Sequence, residues 1–249
     1  MRCAIISDIH SNREALESVL AEIDRQGVET VLCLGDIVGY NADPEACVEL
    51  VLDRAAATIR GNHDKAVAGL MDLDWFNPAA REAALWNRGA LRGGALDRVR
   101  RLPQGPISFG TSIVLCHGSP VDEDEYLLPG APLLDALRFL DEKMPEARLC
   151  FHGHTHMPLA WSRDREGRPA RKEDMTRPVE LDPDRVYLLN PGSVGQPRDG
   201  NSRASFGILD TGRGTFTYTR VAYAFRETQQ KILAAGLPPA LARRLGEGR

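Results

Sequence analysis

Several features that define special classes of protein are missing from this sequence. Its 249 residues include five cysteines, an odd number without a Cys-x-x-Cys pair, so neither a disulfide framework nor a zinc ribbon is indicated. Apolar runs stay below the roughly 18 residues of a membrane-spanning helix, and the N-terminus lacks the long apolar region of a signal peptide. We therefore expect a cytoplasmic protein with no membrane partner.

An excess of charge of one sign is also missing. The chain carries 31 basic and 35 acidic residues, for a net charge of −4, so there is no general electrostatic case for a nucleic-acid partner. A hydrophobic fraction of 43% is ordinary for a globular protein. At this length we predict a single domain over residues 1–249, and the oligomeric state stays open.

Histidine is scarce, and the six histidines are confined to a few short motifs. Histidine is a common metal ligand and transfers protons near neutral pH, so this confinement predicts one site that collects nearly all of them. Each motif alone is weak evidence, but all of them follow predicted strands. In chain order, the motifs are Asp8-Ile9-His10, Gly35-Asp36-Ile37-Val38-Gly39, Gly61-Asn62-His63-Asp64, His117-Gly118 and Phe151-His152-Gly153-His154-Thr155-His156.

The hydrophobic pattern predicts an α/β fold. Strands at 2–7, 30–34 and 57–60 each run into a motif, and helices follow the first two motifs. Alternation of strand, motif and helix favours a parallel sheet, in which ligands bind beyond the carboxyl ends of the strands. Further elements are predicted as strands at 111–116, 148–151, 186–189, 206–210 and 215–220, and as a helix at 132–144.

Three segments fall outside this alternation. Residues 65–106 are interpreted as a helical insertion that shapes a substrate pocket; alternatively, its two tryptophans, Trp75 and Trp86, only pack it onto the sheet. Residues 162–184 contain three prolines and charges of both signs, which is typical of a long polar loop or an exposed hairpin. Residues 224–249 are predicted to form a helical tail without a motif.

The motif residues form a coherent set of metal ligands. Carboxylate, imidazole and amide oxygen suit divalent Mn, Fe, Zn or Ni better than calcium, and the motifs contain no thiols of a structural zinc site. There are enough of these side chains for two ions. A shared carboxylate can hold two metals about 3.5–4 Å apart, the arrangement used in phosphoryl transfer.

The order of these motifs closely resembles that of the calcineurin-like metallophosphoesterases, and most of all their small stand-alone bacterial and archaeal phosphodiesterases. The resemblance runs from residue 2 to about 210 and includes the turn Asn190-Pro191-Gly192-Ser193. It implies a four-layer α/β/β/α sandwich. It also implies hydrolysis of phosphoester bonds by two metals, by a phosphodiesterase or phosphatase that acts on a small or nucleotide-type substrate.

The resemblance further implies which residues would carry the chemistry. Asp36 would bridge the two metals together with a shared hydroxide, and His63 would contact the phosphate and protonate the leaving oxygen. A cationic imidazole at that place would neutralise developing alkoxide charge. The implied ligands are Asp8, His10, Asp36 and His156 for the first metal, and Asp36, Asn62, His117 and His154 for the second.

Four further residues have two interpretations each. Asp64 either orients His63 or caps a following helix, and Asp43 could share the orienting role. Arg198 either pairs with phosphate or forms an ion pair within the protein. His152 is interpreted as a packing or supporting residue rather than a ligand.

Two other functions are compatible with the same fold. One is a non-catalytic interaction scaffold, but every implied ligand position is filled and His63 is present. The other is a nuclease, but such relatives usually carry additional DNA-binding regions, and the sequence has no basic stripe. A phosphoesterase with a small substrate is therefore the preferred hypothesis.

Overall fold

The computed structural model describes residues 1–172 and 174–249. Its helices are α1 (Arg13–Arg25), α2 (Pro44–Arg54), α3 (Asn62–Ala68), α4 (Pro78–Ala90), α5 (Ala95–Arg100), α6 (Ala131–Lys143), α7 (Phe225–Ala234) and α8 (Pro239–Glu247). Its strands are β1 (Arg2–Ile6), β2 (Thr30–Cys33), β3 (Ala55–Thr58), β4 (Ile107–Phe109), β5 (Ile113–Leu115), β6 (Leu149–Phe151), β7 (Leu159–Arg163), β8 (Pro169–Arg171), β9 (Val179–Glu180), β10 (Val186–Asn190), β11 (Ala204–Asp210) and β12 (Thr215–Val221).

The strands form two six-stranded mixed sheets. The first has the order β3-β2-β1-β11-β12-β9, and β1, β2 and β3 are mutually parallel. The second has the order β4-β5-β6-β10-β7-β8, with β5, β6 and β10 parallel. The carboxyl ends of parallel strands meet at one edge of a sheet, so the motifs after β1, β2 and β3, and those after β5 and β6, are brought together in two groups.

The two sheets pack face to face, because side chains alternate across each strand. On β1, Cys3 and Ile5 point into a core shared with Leu115 and Phe151 of the second sheet. Their neighbour Ala4 packs on the other face, in the core that contains residues of α1 and α2. Helix α6 covers the outer face of the second sheet. These cores define four layers, α/β/β/α, and confirm the predicted fold class.

The first crossover helix shows how the sequence sets element boundaries. Asn12 precedes α1, and its Oδ1 accepts a hydrogen bond from the main-chain N–H of Ala15 at 3.2 Å. The buried stripe of α1 faces the first sheet, as its helical spacing predicts. Gly27 follows with φ 64°, a left-handed conformation that glycine adopts without strain. The short motif between β1 and α1 is thereby held at the sheet edge.

The structure corrects several predicted boundaries. Strand β3 lies two residues earlier than predicted, and β4 was not predicted. The polar segment predicted at 162–184 begins inside a hairpin of β7 and β8 that spans residues 159–171, and its β9 pairs with β12 of the other sheet; residue 173 lies outside the described residues. The tail consists of two helices, α7 and α8. The single domain predicted for residues 1–249 stays a prediction.

Within the described residues, the helices are all too short or too polar to cross a membrane.

Candidate metal centre

The turns that follow the strands hold their side chains in an unusual backbone conformation. Of the seven non-glycine residues described with positive φ, five are predicted metal ligands: Asp8, His10, Asp36, His154 and His156, with φ between 49° and 65°. Such conformations cost about 1–3 kcal/mol each and persist only where the surroundings enforce them. The main chain provides that enforcement, because the N–H of His10 donates to the carbonyl of Asp36 at 2.8 Å.

The first group of side chains lies between β1, β2 and the loop after β6. Ligand atoms of Asp8, His10, Asp36 and His156 all lie within 4.8 Å of one another, and all four residues are buried. The Nε2 atom of His10 is 3.1 Å from Nε2 of His156 and 3.5 Å from Oδ2 of Asp36. Two carboxylates and two imidazoles therefore converge on one small volume.

The second group shares Asp36 with the first. Asp36, His117 and His154 form another buried set whose ligand atoms lie within 4.8 Å of one another. The Nε2 atom of His117 is 3.3 Å from Oδ2 of Asp36 and 3.2 Å from Oδ1 of Asn62. Asp36 thus stands between two clusters of potential ligands.

Hydrogen bonds to main-chain carbonyls fix how three of these histidines present their nitrogens. A carbonyl only accepts, so each ring nitrogen facing one carries the proton. His117 donates through Nδ1 to Leu34 at 2.8 Å, and His156 through Nδ1 to Gln196 at 2.6 Å. In a neutral ring each Nε2 is therefore available to a metal, which is the usual outer-shell arrangement. Burial lowers the pKa of His117 but the Asp36 carboxylate raises it, to about 10, so a metal would have to displace the Nε2 proton of His117. His154 instead donates through Nε2, to the carbonyl of Asp124 at 3.1 Å, which leaves its Nδ1 free.

The donor set fits divalent metals. Oδ2 of Asp36 is buried and has no hydrogen-bond partner among the described residues, although a buried carboxylate oxygen needs one. The close approach of the His10 and His156 Nε2 atoms also needs a shared proton or a cation between them. A cation bound by both groups would satisfy all of these atoms, and imidazole with carboxylate suits Mn, Fe, Zn or Ni.

Burial keeps most of these histidines neutral, as metal binding requires. Burial lowers the pKa of His154 to about 3 and the pKa of His10 well below its ordinary value. Burial alone would raise the pKa of Asp36, but the nearby His117 imidazolium holds that pKa well below its ordinary value. The side chain shared by the two groups is thus an ionised carboxylate in the metal-free protein.

His63 lies beside both groups but outside them. Its main-chain N–H donates to Oδ1 of Asp36 at 2.8 Å, while its ring packs 4.7 Å from His10, 4.4 Å from Tyr40 and 4.7 Å from Phe76. Burial lowers the pKa of His63 to about 4. Gly39 has φ 107°, and a Cβ there would lie 2.6 Å from Nδ1 of His63, so the last glycine of its motif makes room for this ring.

Gly61 is needed for the close approach of the second and third motifs. A Cβ on Gly61 would lie 2.1 Å from Oδ1 of Asp36 and 2.7 Å from its main-chain nitrogen. We expect Gly61→Ala to displace Asp36 and to lose bound metal, as measured by elemental analysis of the purified protein. Gly89→Ala is the matched control, because Gly89 is a helical, exposed residue with no atom within 4 Å of the added Cβ; it should retain metal and gain stability by up to about 1 kcal/mol. Equal metal content in the two variants would contradict this role for Gly61.

The structure decides between the alternative roles of the neighbouring residues. Asp64 does not orient His63; its Oδ1 accepts from the N–H of Val38 at 3.1 Å and its Oδ2 from the N–H of Gly61 at 2.9 Å, so that its carboxylate caps the first turn of α3. Asp43 pairs instead with Lys231 at 2.7 Å, so the orienting role suggested for Asp43 is wrong.

His152 lies behind the centre rather than in it. Its side chain is buried, its Nδ1 is 3.3 Å from Nδ2 of Asn190, and it belongs to neither ligand group. Nδ2 of Asn190 also donates to the carbonyl of Gly153 at 2.7 Å and to Oγ1 of Thr155 at 3.0 Å. Asn190 thus fixes the loop that carries the histidine cluster, a role that sequence reasoning missed although it noted the turn that begins there.

Four aromatic residues line the open side of the centre. Together with Asn62 and His63, they border a cavity of about 470 Å³. The ring of Tyr126 stacks 4.0 Å from that of His154. No sequence signal marked Tyr40 or Tyr126, because an isolated tyrosine outside a motif looks like any other core or surface residue. The four aromatic residues are Tyr40, Trp75, Phe76 and Tyr126.

Arg198 approaches the same side from the loop after β10. Its Nη2 donates to the Tyr40 hydroxyl at 3.3 Å and to Oε1 of Gln196 at 3.1 Å. Its main-chain N–H donates to the carbonyl of His156 at 3.3 Å. The alternative of an intramolecular ion pair with a carboxylate side chain finds no support in the described part of the chain.

Comparisons with known proteins agree with this geometry. The sequence profile of the calcineurin-like phosphoesterase superfamily domain matches residues 1–214. An uncharacterized protein of Methanocaldococcus jannaschii is 39% identical over 99% of this chain and 98% of its own. The phosphodiesterase YfcE of Escherichia coli is 27% identical over 84% of this chain and 88% of its own. The crystal structure of a metallophosphoesterase from Sphaerobacter thermophilus is 38% identical and covers 100% of this chain and 99% of that one, with a TM-score of 0.82.

The chain therefore belongs to the calcineurin-like phosphoesterase superfamily, as its motif order predicted. A hypothetical protein of Pyrococcus horikoshii OT3, 20% identical, shares the fold with a TM-score of 0.78 over 100% of this chain and 98% of that one. The family is metal-dependent, and the aspartate and histidine clusters described above could bind metal.

Proposed function

We propose that this protein hydrolyses phosphoester bonds with two divalent metals that share Asp36. The observation that supports this most directly is the pair of buried ligand groups with Asp36 in common. Asp8, His10 and His156 would hold the first metal with Asp36, and His117, His154 and Asn62 the second. Bound metals would supply Lewis-acid charge that stabilises the phosphoryl oxygens during the reaction.

His63 would then act on the phosphate and on the leaving group. His63 lines the open cavity without belonging to a ligand group. We infer that it contacts the phosphate and donates a proton to the leaving oxygen. Because burial lowers its pKa to about 4, the negative charge of a bound phosphate is needed to stabilise the protonated imidazole.

The size and lining of the cavity support a small phosphodiester of nucleotide type as the substrate. Its volume of about 470 Å³ fits a small molecule. Its aromatic walls offer flat surfaces on which a planar ring can stack. Two of the proposed metal ligands, Asn62 and His154, line this cavity together with His63, which supports the assignment.

A panel of substrates tests the proposal. The purified protein, loaded separately with Mn, Fe, Zn or Ni, should hydrolyse a bis(nitrophenyl) phosphodiester and release nitrophenol, and a chelator should abolish the reaction. The metal that gives the highest turnover identifies the preferred cofactor. If no metal supports hydrolysis of any diester or monoester in the panel, the proposed activity is wrong.

The insertion contributes to substrate choice in this proposal. Trp75 lines the cavity and is 86% exposed, an unusual position for a tryptophan that only packs a helix onto a sheet. We expect Trp75→Ala to raise the KM of substrates that have a planar ring, by an amount equivalent to about 1–3 kcal/mol of lost binding energy. The KM of substrates without such a ring should not change. Steady-state kinetics on a nucleotide diester and a dialkyl diester measure this difference.

Leu85→Ala serves as the control, because Leu85 is another exposed apolar residue of the same insertion but does not line the cavity. It should leave the ranking of the two substrates unchanged. If Trp75→Ala lowers the melting temperature and also leaves that ranking unchanged, Trp75 is a packing residue.

A further inference from the structure

Two arginines meet at one aromatic ring beside the candidate centre. The Cζ atom of Arg198 lies 6.0 Å from the ring centroid of Tyr40, and Cζ of Arg244, from α8, lies 5.4 Å from it. The same ring is 4.5 Å from His10 and 4.4 Å from His63. Two guanidinium groups from distant parts of the chain thus lie next to Tyr40, which lines the cavity on the open side of the metal ligands.

No described aspartate or glutamate side chain lies in ion-pair contact with these two charges. Among residues 1–172 and 174–249, neither arginine forms an ion pair with a carboxylate side chain. Arg198 donates to the side chain of Gln196, and Nε of Arg244 donates to the main-chain oxygen of Arg249, the last residue of the sequence, at 3.0 Å. Two half-buried cations near each other repel unless an anion lies between them, and an arginine fork is well suited to a phosphoryl group.

The pKa values of the two arginines agree with this shared position over Tyr40. Burial and the neighbouring Arg198 cation lower the pKa of Arg244. Burial would also lower the pKa of Arg198, but Tyr40, Tyr126 and the Asp8 carboxylate raise that pKa above its ordinary value. The distances to the Tyr40 ring place both guanidinium groups in one region next to the centre.

We propose that Arg198 and Arg244 bind a second anionic group of the substrate, a phosphoryl group that adjoins the scissile one. This inference rests on the proposed function, because the metals would bind the scissile phosphate. A simple diester carries one negative charge, which the metals alone would neutralise. Two additional guanidinium groups favour a substrate with at least two adjoining phosphoryl groups, in which the second one extends toward Tyr40.

The tail is what brings Arg244 to this place. Helix α8 packs through Leu241 and Leu245 into a core that includes Tyr40 and Ala83 of α4. The match to the family ends at residue 214, before either tail helix begins. In this proposal the C-terminal helices both pack against α4 and contribute the Arg244 side chain to the binding surface.

The experiment compares two probes that bind without being hydrolysed. The full-length protein is loaded with manganese and titrated calorimetrically with inorganic phosphate, which has one phosphoryl group, and with methylenediphosphonate, which has two. Arg244→Ala should weaken methylenediphosphonate binding by about 10-fold or more, the loss of one charge-assisted hydrogen bond. It should change phosphate binding less than twofold.

Arg243→Ala is the matched control. Arg243 is the preceding residue of α8 and is exposed, so it removes the same charge from the same helix. It should leave both affinities unchanged, while Arg244→Lys should restore part of the methylenediphosphonate affinity. Metal content and melting temperature are measured for each variant, and Arg244→Gln replaces Arg244→Ala if the alanine variant does not fold.

Three results would overturn the inference. They are unchanged methylenediphosphonate binding in Arg244→Ala and Arg244→Gln, an equal loss for both probes, and equal affinity of both probes for the unmodified protein. Turnover of a nitrophenyl diester by the unmodified protein separates this inference from the proposed function. Arg244-dependent binding of methylenediphosphonate without any turnover would reject the activity but keep the anion site.

Discussion

Asp36→Asn should remove both metals, or nearly all activity, from this protein. An amide has one oxygen and no charge, so it cannot replace a carboxylate that two ligand groups share. The loss of metal affinity should exceed the roughly 10–100-fold that follows removal of an outer-shell partner. Elemental analysis after purification and turnover on a nitrophenyl diester measure the two effects.

Asp43→Asn provides the control, because it makes the same chemical change at a carboxylate that pairs with Lys231 away from the centre. It should keep its metals and its turnover. An Asp36→Asn protein that retains two tightly bound metals and full turnover would show that Asp36 does not bridge them.

His63→Ala should keep both metals and lose activity in a way that depends on the leaving group. A general acid contributes roughly 10²–10⁴ in rate, and its help matters most when the leaving oxygen is strongly basic. The fall in turnover should therefore approach this range for an alkyl ester and stay small for a nitrophenyl ester, whose anion leaves without a proton. Metal content and turnover on the two esters are measured together.

A second substitution separates proton donation from phosphate binding. His63→Gln keeps a hydrogen-bond donor but has no titratable proton, so it should resemble His63→Ala on the alkyl ester. An equal fall on both esters would identify His63 as a phosphate-binding residue, and a loss of metal would identify it as a ligand. Because burial lowers the pKa of His63 to about 4, the imidazole would gain its proton only with substrate bound, and the two esters then report whether that proton is transferred.

Much of the fold could be predicted from local patterns. Helix α1 begins after a capping Asn12 and ends near Gly27, as the spacing of its apolar residues and the capping and terminating residues indicate. Strands β1 and β2 are short buried runs, which is typical of a parallel sheet, and Gly27 and Gly35 lie on either side of β2. These signals depend on neighbouring residues in sequence, so the sequence alone was enough to find them.

The short strands at the sheet edges were harder to predict. Strand β4 has three residues and β9 has two, and each lies at the end of its sheet, where it pairs with a single neighbour: β4 with β5, and β9 with β12. Their own sequences carry too few residues for a period of two to be recognised. Tertiary pairing, rather than local preference, determines where they begin and end.

The sequence by itself was enough to predict two sets of potential metal ligands, because scarce histidines follow strands in the order of a known family. That these residues bind metal stays a prediction. Only the tertiary structure decided what surrounds them. In the structure Asp64 caps a helix, Asp43 forms an ion pair with Lys231, and Arg244 lies beside Tyr40. The physical reason is the distance along the chain between the interacting residues. A motif consists of residues that are close in sequence, whereas an ion pair or a stacked ring depends on which distant helix packs against it.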